Sequence, residues 1–282
     1  MTGQRQVVEI VAIGNELLIG DVLDTNTHWL CQQITGLGGV VRRAALVRDD
    51  LQAVGQEVLG ALARRSGVVF TTGGLGPTDD DMTLRALAQA LGRPLALDGE
   101  ALAQIESRYY QLWEAGLVAE AALTPERRKM AVLPRGAQPL ANPVGGAPGV
   151  LLEQEGSAIV CLPGVPEELK AIFQQTLPPL LQAWLGGACY REEVVRVDCR
   201  DESALAPVVD AVAARHPRVY VKSRAKAYGA AAYLQVTLSA RGPGLADVQQ
   251  ALQAARADLE DRLREAGFPP LDLGQDALGR RP

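Results

Sequence analysis

Aromatic residues are scarce, at 4% of 282 residues. A surface that stacks single-stranded bases would have few side chains to build it. Histidine occurs twice, at His28 and His216, and cysteine four times, at Cys31, Cys161, Cys189 and Cys199. No two cysteines share a CxxC spacing, which excludes a zinc centre of the usual kind. Four cysteines in a chain this long also do not make a disulfide framework. They are expected to be small buried hydrophobes. No apolar run approaches the ~18 residues that a membrane span needs. Met1 to Gln6 is polar, with no apolar segment of the secretory type. Neither sign of charge dominates: 28 basic residues face 33 acidic ones, a net charge of -5. That balance advertises neither nucleic acid nor an anionic membrane as partner. The expectation is a soluble, cytoplasmic protein that works on small molecules.

The chain has the content of a globular protein. Hydrophobic residues make up 48% and charged residues 22%, near the globular average. The length predicts about two domains and suffices to bury a core without staples.

The first half alternates strand and helix. Val7–Ile13 is an apolar, β-branched run ending at Gly14, the mark of a strand buried on both faces. A helix is predicted from about Asn26 to Thr35, stopped by Gly36, Gly38 and Gly39. Val40–Val47 reads as a second strand. Asp49 or Asp50 then starts a helix with Leu51, Val54, Val58 and Leu62 on one face. Val68–Thr72 is a third strand, followed by a helix from near Thr78 that carries Leu84, Leu87 and Leu91. Such alternation predicts an α/β fold with a mostly parallel sheet between helical layers. Helices near Gly99–Ala115 and Pro125–Met130 come next. Short strands follow at Ala137–Ala141, Gly149–Leu152 and Ala158–Leu162, then a helix from Pro166 to about Gln182 that Pro178-Pro179 breaks or kinks.

Leu185-Gly186-Gly187-Ala188 reads as a linker. Beyond it the order is strand Glu193–Asp198, helix Ser203–Ala214, strands Val219–Ser223 and Ala231–Ser239, and a long helix Leu245–Ala266. This order suits a small α+β domain. The expected division is residues 5–183, residues 190–268 and a loose tail, 269–282. Leu and Ala faces on several helices leave a homodimer open.

In an open parallel sheet, ligands bind beyond the C-terminal ends of the strands. The loop after the third strand is Thr72-Gly73-Gly74-Leu75-Gly76-Pro77-Thr78-Asp79-Asp80-Asp81. Three glycines in four positions let the backbone approach a bulky anion, and a helix start favours negative charge. Three neighbouring carboxylates would repel a phosphate unless a cation lies between them. Mg²⁺ held by one or two carboxylates and phosphate oxygens resolves the conflict. A plainer reading stands beside it: Thr78 and Asp81 as a helix capping box. The loop after the first strand offers Glu16, Asp21 and Asp24 as metal or hydroxyl contacts, or Asp24 or Asn26 as a helix cap. Two further turn-rich loops are Asn142–Gly149 and Leu162–Leu169. His28 reads as structural, and His216 as a helix-end residue. Arg127-Arg128-Lys129 reads as a solvated helix face, with contact to a phosphate as the alternative. Lys222, Arg224 and Lys226 alternate along a strand edge, where lysines discourage pairing. No GxSxG elbow and no GxxxxGK[ST] loop occurs.

Four ordered motifs carry a resemblance. They are Gly14-x-Glu16-Leu17-Leu18-x-Gly20 with Asp24-Thr25-Asn26, Thr72-Gly73-Gly74-Leu75-Gly76-Pro77-Thr78-x-Asp80-Asp81-x-Thr83, Asn142-x-x-Gly145-x-Ala147-Pro148-Gly149, and Leu162-Pro163-Gly164-x-Pro166-x-Glu168-Leu169. Together they resemble the molybdopterin-binding-like domain of the CinA family over about residues 7–180. The segment after Glu193 is similar to that family's small middle domain. Asn15 and Val165 depart from frequent family residues. Many members continue into a nicotinamide-mononucleotide deamidase domain, and none is expected here.

The resemblance implies metal-dependent hydrolysis of the pyrophosphate bond in ADP-ribose-like nucleotides, with Mg²⁺, Mn²⁺ or Co²⁺. Catalytic roles fall to Asp80, Asp81 and Asp24, and Asp80 and Asp81 hold the metal. Gly14, Glu16, Asn26, Gly73, Gly74, Gly76, Pro77, Thr78, Asn142, Gly145, Pro163 and Gly164 bind the substrate. Two alternatives remain: an adenylyltransferase or related protein that handles molybdopterin, and a catalytically silent nucleotide-binding module.

Overall fold

The structure is a computed structural model that describes residues 6–225, 233–268 and 270. It divides into two compact units, Met1–Gly187 and Ala188–Pro282.

In the first unit, strand β1 (Val7–Ile13) is followed by the one-turn helix α1 (Asn15–Leu18) and by α2 (Thr25–Gly36). Strand β2 (Val40–Val47), helix α3 (Leu51–Ala63) and strand β3 (Val68–Thr72) complete two crossovers. β1 pairs in parallel with both β2 and β3. Helix α4 (Thr83–Ala90), strand β4 (Leu95–Leu97), helices α5 (Gly99–Glu114) and α6 (Pro125–Lys129) and strand β5 (Val132–Pro134) come next. The chain returns to the sheet through β6 (Gln138–Leu140), β7 (Gly149–Gln154) and β8 (Ser157–Leu162). The six-stranded order is β2-β1-β3-β8-β7-β6. β8 runs parallel to β3 and antiparallel to β7, so the sheet is mostly parallel.

Alternation along the strands sends side chains into two separate cores. Val11 and Ile13 join Val54, Val58, Leu87 and Ile105 on one face. Val8 and Ile10 join Leu30, Ile34, Ile172 and Trp184 on the other. The sheet is therefore sandwiched between helical layers, as the alternating sequence predicts. One residue breaks the apolar run of β1. Glu9 is 2% exposed and accepts hydrogen bonds from Arg64 Nη2 (2.7 Å) and Ser66 Oγ (2.7 Å).

One expectation needs correction, and two features go beyond the sequence reading. The helix after β3 starts at Thr83, not near Thr78. Residues 78–81 close instead into a turn, in which Asp81 N–H donates to Thr78 O at 3.1 Å. The first bond of the helix is Ala86 N–H to Met82 O, 2.9 Å. Second, β4 and β5 pair antiparallel. Three residues each are too few for periodicity to reveal. Third, the helix from Pro166 is broken at Pro178 as expected, but it also carries a π-helical turn: α7 (Pro166–Ala171), the turn Ile172–Thr176 and α8 (Pro178–Leu185). The break comes where Pro178 lacks an N–H to continue the ladder.

In the second unit, β9 (Cys189–Val197), helix α9 (Glu202–Arg215), β10 (Val219–Ala225), β11 (Leu234–Gly242) and α10 (Leu245–Glu265) follow the predicted order. The antiparallel sheet runs β10-β11-β9, and its core joins Val195, Val221 and Leu238 to Leu205, Val212, Leu252 and Leu259. Lys222 and Arg224 lie on the edge strand β10, whereas Lys226 and residues 231–232 of the expected strand fall outside the described residues. So does the expected tail except Pro270, which bridges Val197. His216 ends α9 with Nε2 3.2 Å from Asp258 Oδ2. All four cysteines are free: Cys161 and Cys199 are buried, and Cys31 and Cys189 half-buried. Among the described residues no helix is long and apolar enough to cross a membrane.

Candidate functional site

β1 has β2 on one side and β3 on the other, and the connections leave on opposite faces. A crevice opens beyond the strand ends at such a reversal. The crevice here is a cavity of about 430 Å³. Its wall includes Glu16 after β1, Asp49 after β2, the loop Gly73–Pro77 with Asp80 and Asp81 after β3, and Pro163, Gly164 and Glu168 after β8.

The glycine loop is held from behind. Gly73 has φ +98, and its N–H donates to Leu162 O at 3.0 Å. A Cβ there would lie 2.2 Å from Ile13 O, so only glycine fits between β1 and β8. Gly74 has φ +67. The buried Thr83 fixes both: its Oγ1 donates to Gly73 O (2.9 Å) and its N–H to Gly74 O (3.1 Å). The helix start thus closes back on the loop instead of pointing at a ligand. The free donors are elsewhere. Among the described residues, the N–H groups of Gly74, Leu75 and Gly76 have no hydrogen-bond partner. Three successive unpaired N–H groups suit an anion.

The acidic turn is organised by Thr78. Its hydroxyl lies 2.5 Å from Asp80 Oδ1 and 2.6 Å from Asp81 Oδ2, and its N–H donates to Asp81 Oδ2 at 2.9 Å. The hydrogen bond from Thr78 holds the Asp80 carboxyl below the usual carboxylate range. Lys129 Nζ reaches across from α6 to Thr78 O and to Asp81 O. Arg127 stacks over the Tyr109 ring at 3.8 Å. The basic triplet of α6 is therefore not simply a solvated face: two of its three members fasten the rim of the site.

The opposite wall is built around Glu168. Asn142 Nδ2 donates to Glu168 Oε2 at 2.6 Å and to Ala147 O at 2.7 Å, while Asn142 Oδ1 accepts from Val144 and Gly145 N–H. Burial pushes the Glu168 carboxyl up, opposed by the Asn142 hydrogen bond and the Arg108 charge. Glycines make room for acids at three places. A Cβ on Gly14 would meet the Glu16 carboxylate at 2.4 Å, one on Gly76 the Asp81 carboxylate at 2.6 Å, and one on Gly145 the Glu168 carboxylate at 2.0 Å.

Of the residues expected from sequence, Glu16, Gly73, Gly74, Gly76, Pro77, Asp80, Asp81, Pro163 and Gly164 line the cavity. Gly14, Asn26, Thr78, Asn142 and Gly145 are not on its wall, and Asn142 and Gly145 line a separate cavity. Asn26 Nδ2 donates to Gly164 O (2.7 Å), and Gly164 in turn lies against Gly73. Asp24 is also not on the wall: its Oδ1 caps α2 by accepting from Thr27 N–H at 2.9 Å. Asp49, Tyr109 and Glu168 also line the cavity, and Lys129 braces its acidic turn, none of which the loop reading singled out. Only Glu168 carried a signal, as part of a quoted motif.

Among the described residues no three His, Cys, Asp or Glu side chains converge into a preformed metal cage. Asp80 and Asp81, side by side at the glycine loop, supply one or two carboxylates. That suits a cation that takes its other ligands from phosphate and water.

Comparison with known proteins agrees with this architecture. Residues 9–183 match the family described as "Probable molybdopterin binding domain". A protein of Pyrobaculum calidifontis is 40% identical over 256 residues, covering 90% of this chain and 95% of the relative. One of Aeropyrum pernix is 46% identical over 214 residues, 76% of this chain and 77% of the relative. Among solved structures, the protein CinA of Thermoplasma acidophilum, described as of unknown function, is 36% identical with a TM-score of 0.57. The match covers 64% of this chain and 99% of that one. The chain belongs to the molybdopterin-binding domain family, and within it to the CinA type.

Proposed function

We propose that the first unit is a cytoplasmic enzyme that works on the phosphoanhydride of a two-part nucleotide. Its substrate is a molybdopterin-type compound carrying or receiving an adenylate, as in cofactor biosynthesis. The observation that carries the proposal is the run of three unpaired N–H groups at Gly74, Leu75 and Gly76 beside Asp80 and Asp81 in one cavity. An adenylated pterin is joined through a diphosphate, and the backbone donors bind that group without adding charge. Asp80 and Asp81 would hold a divalent cation (Mg²⁺, Mn²⁺ or Co²⁺), which would supply charge neutralisation at the diphosphate and polarisation of phosphorus. Thr78 and Lys129 keep the acidic turn in register. Glu168, anchored by Asn142, moves the proton at the departing or attacking oxygen.

A second reading is hydrolysis of an ADP-ribose-like anhydride. The surplus of acids favours it: Glu16 and Asp49 also line the cavity and offer acceptors for water or ribose hydroxyls. One experiment separates the two. The protein with Mg²⁺, Mn²⁺ or Co²⁺ is given ADP-ribose in one arm and ATP with molybdopterin in the other. Adenylate transfer, or co-purified pterin fluorescence, supports the first reading; AMP from ADP-ribose supports the second. Neither product with any metal leaves only a silent binding module.

A further inference from the structure

We infer that a second cavity beside the glycine loop is the subsite for the ring-bearing, phosphorylated half of the substrate. This rests on the phosphoanhydride reading above and extends it. The cavity measures about 560 Å³ and shares Gly74, Leu75, Gly76 and Asp81 with the first. The loop with the three free N–H groups is therefore a wall common to both cavities. A diphosphate on those donors has a cavity on either side of the loop for the group attached to it.

The wall chemistry says what that end is. Leu84, Leu95, Leu97 and Val132 give it an apolar lining. Leu95 and Leu97 are 38% and 45% exposed, although β4 and β5 pair at this edge. Two cations stand at the same wall, Arg85 and Arg128. Among the described residues neither guanidinium group has an ion-pair or hydrogen-bond partner. Six other arginines of this unit, Arg42, Arg43, Arg64, Arg93, Arg108 and Arg127, are tied down by hydrogen bonds. An apolar slot with two free guanidinium groups fits a planar heterocycle that bears phosphate. The apolar side chains take the ring faces, and the guanidinium groups take the phosphate or stack on the ring. A purely apolar ligand leaves the cations unused, and a bare phosphate leaves the leucines in water.

The test is calorimetric titration of the full chain, in Mg²⁺ buffer, with AMP, adenosine and inorganic pyrophosphate. Wild type is expected to bind AMP more tightly than adenosine. Arg85→Ala with Arg128→Ala is expected to weaken AMP about tenfold or more, the effect of losing a charge-assisted contact, and adenosine less than about twofold. Leu97→Asp is expected to weaken AMP and adenosine alike and to spare pyrophosphate, which needs only the loop. Pyrophosphate that fails to bind while the AMP–adenosine contrast persists overturns the anhydride reading and leaves this subsite standing. The subsite itself is overturned if wild type binds neither AMP nor adenosine, or if the double variant binds AMP as wild type does. It is equally overturned if Leu97→Asp changes only the sedimentation of the protein, which marks the slot as a contact between copies.

Discussion

The Glu168 carboxylate occupies the space that a side chain at Gly145 would need, 2.0 Å from where its Cβ would stand. The two positions are joined again through Asn142, whose amide nitrogen holds Glu168 and whose oxygen accepts from Gly145 N–H. Gly145→Ala therefore pushes Glu168 out of its seat. Turnover is expected to fall on the order of 100-fold, as for loss of a general acid or base. Glu168→Gln should do the same with the backbone untouched. Comparing kcat of both variants with wild type checks the shared cause.

Glu168 also predicts a pH dependence of stability. Burial raises its folded pKa above the unfolded value. The fold therefore binds this proton more tightly than the unfolded chain, and stability falls as pH rises between the two values. Glu168→Gln removes the charge, so its Tm should exceed that of wild type at pH 7–8. The gap should close as pH drops toward 4. A gap that widens on acidification contradicts the burial argument.

Gly73 and Gly20 share positive φ, +98 and +79, but not surroundings. A Cβ on Gly20 meets nothing within 4 Å, whereas one on Gly73 meets Ile13 O at 2.2 Å. Gly20→Ala should cost about 1 kcal/mol, the strain of the backbone conformation alone. Gly73→Ala adds a clash with backbone that cannot move aside, and should cost at least about 3 kcal/mol. Chemical denaturation of both variants measures the difference.

The mostly parallel sheet between two helical layers was legible in the sequence because apolar, β-branched strand runs alternate with period-3.6 helices over Val7–Leu62 and again after Val68. The glycine loop was legible for the same reason: it punctuates a strand. The start of α4 was not. Thr78 and Asp81 have the spacing of a helix cap, and the same hydrogen bonds close an isolated turn equally well. Lys129, Asp49 and Tyr109 reach the site from elements distant in sequence, where no local pattern marks them. Asp24 was ambiguous between cap and catalyst, and its contact with Thr27 makes it the cap.

Glu9 shows a buried charge inside an apolar run. Burial would raise its pKa, but hydrogen bonds from Arg64 and Ser66 and the charges of Arg64 and Arg42 outweigh it and hold the carboxyl low. Its folded pKa lies below the unfolded one. The stabilisation is complete above the ordinary carboxylate range and is lost as pH falls through the lowered value. Arg64→Ala strands the charge and should cost about 2 kcal/mol at pH 7. That penalty should shrink below pH 4, as urea denaturation at the two pH values will show.

Asp80 and Asp81, with the free N–H groups of Gly74–Gly76, are proposed to form a metal-assisted phosphoanhydride site. The most direct measurement is product formation by wild type and by Asp81→Asn, with Mg²⁺, Mn²⁺ or Co²⁺, from ADP-ribose and from ATP with molybdopterin. The account predicts metal-dependent release or transfer of adenylate by wild type from at least one substrate. Asp81→Asn should keep the wild-type Tm and lose that activity by about 100-fold or more. Adenylate chemistry that persists in EDTA, or an Asp81→Asn protein as active as wild type, would contradict it.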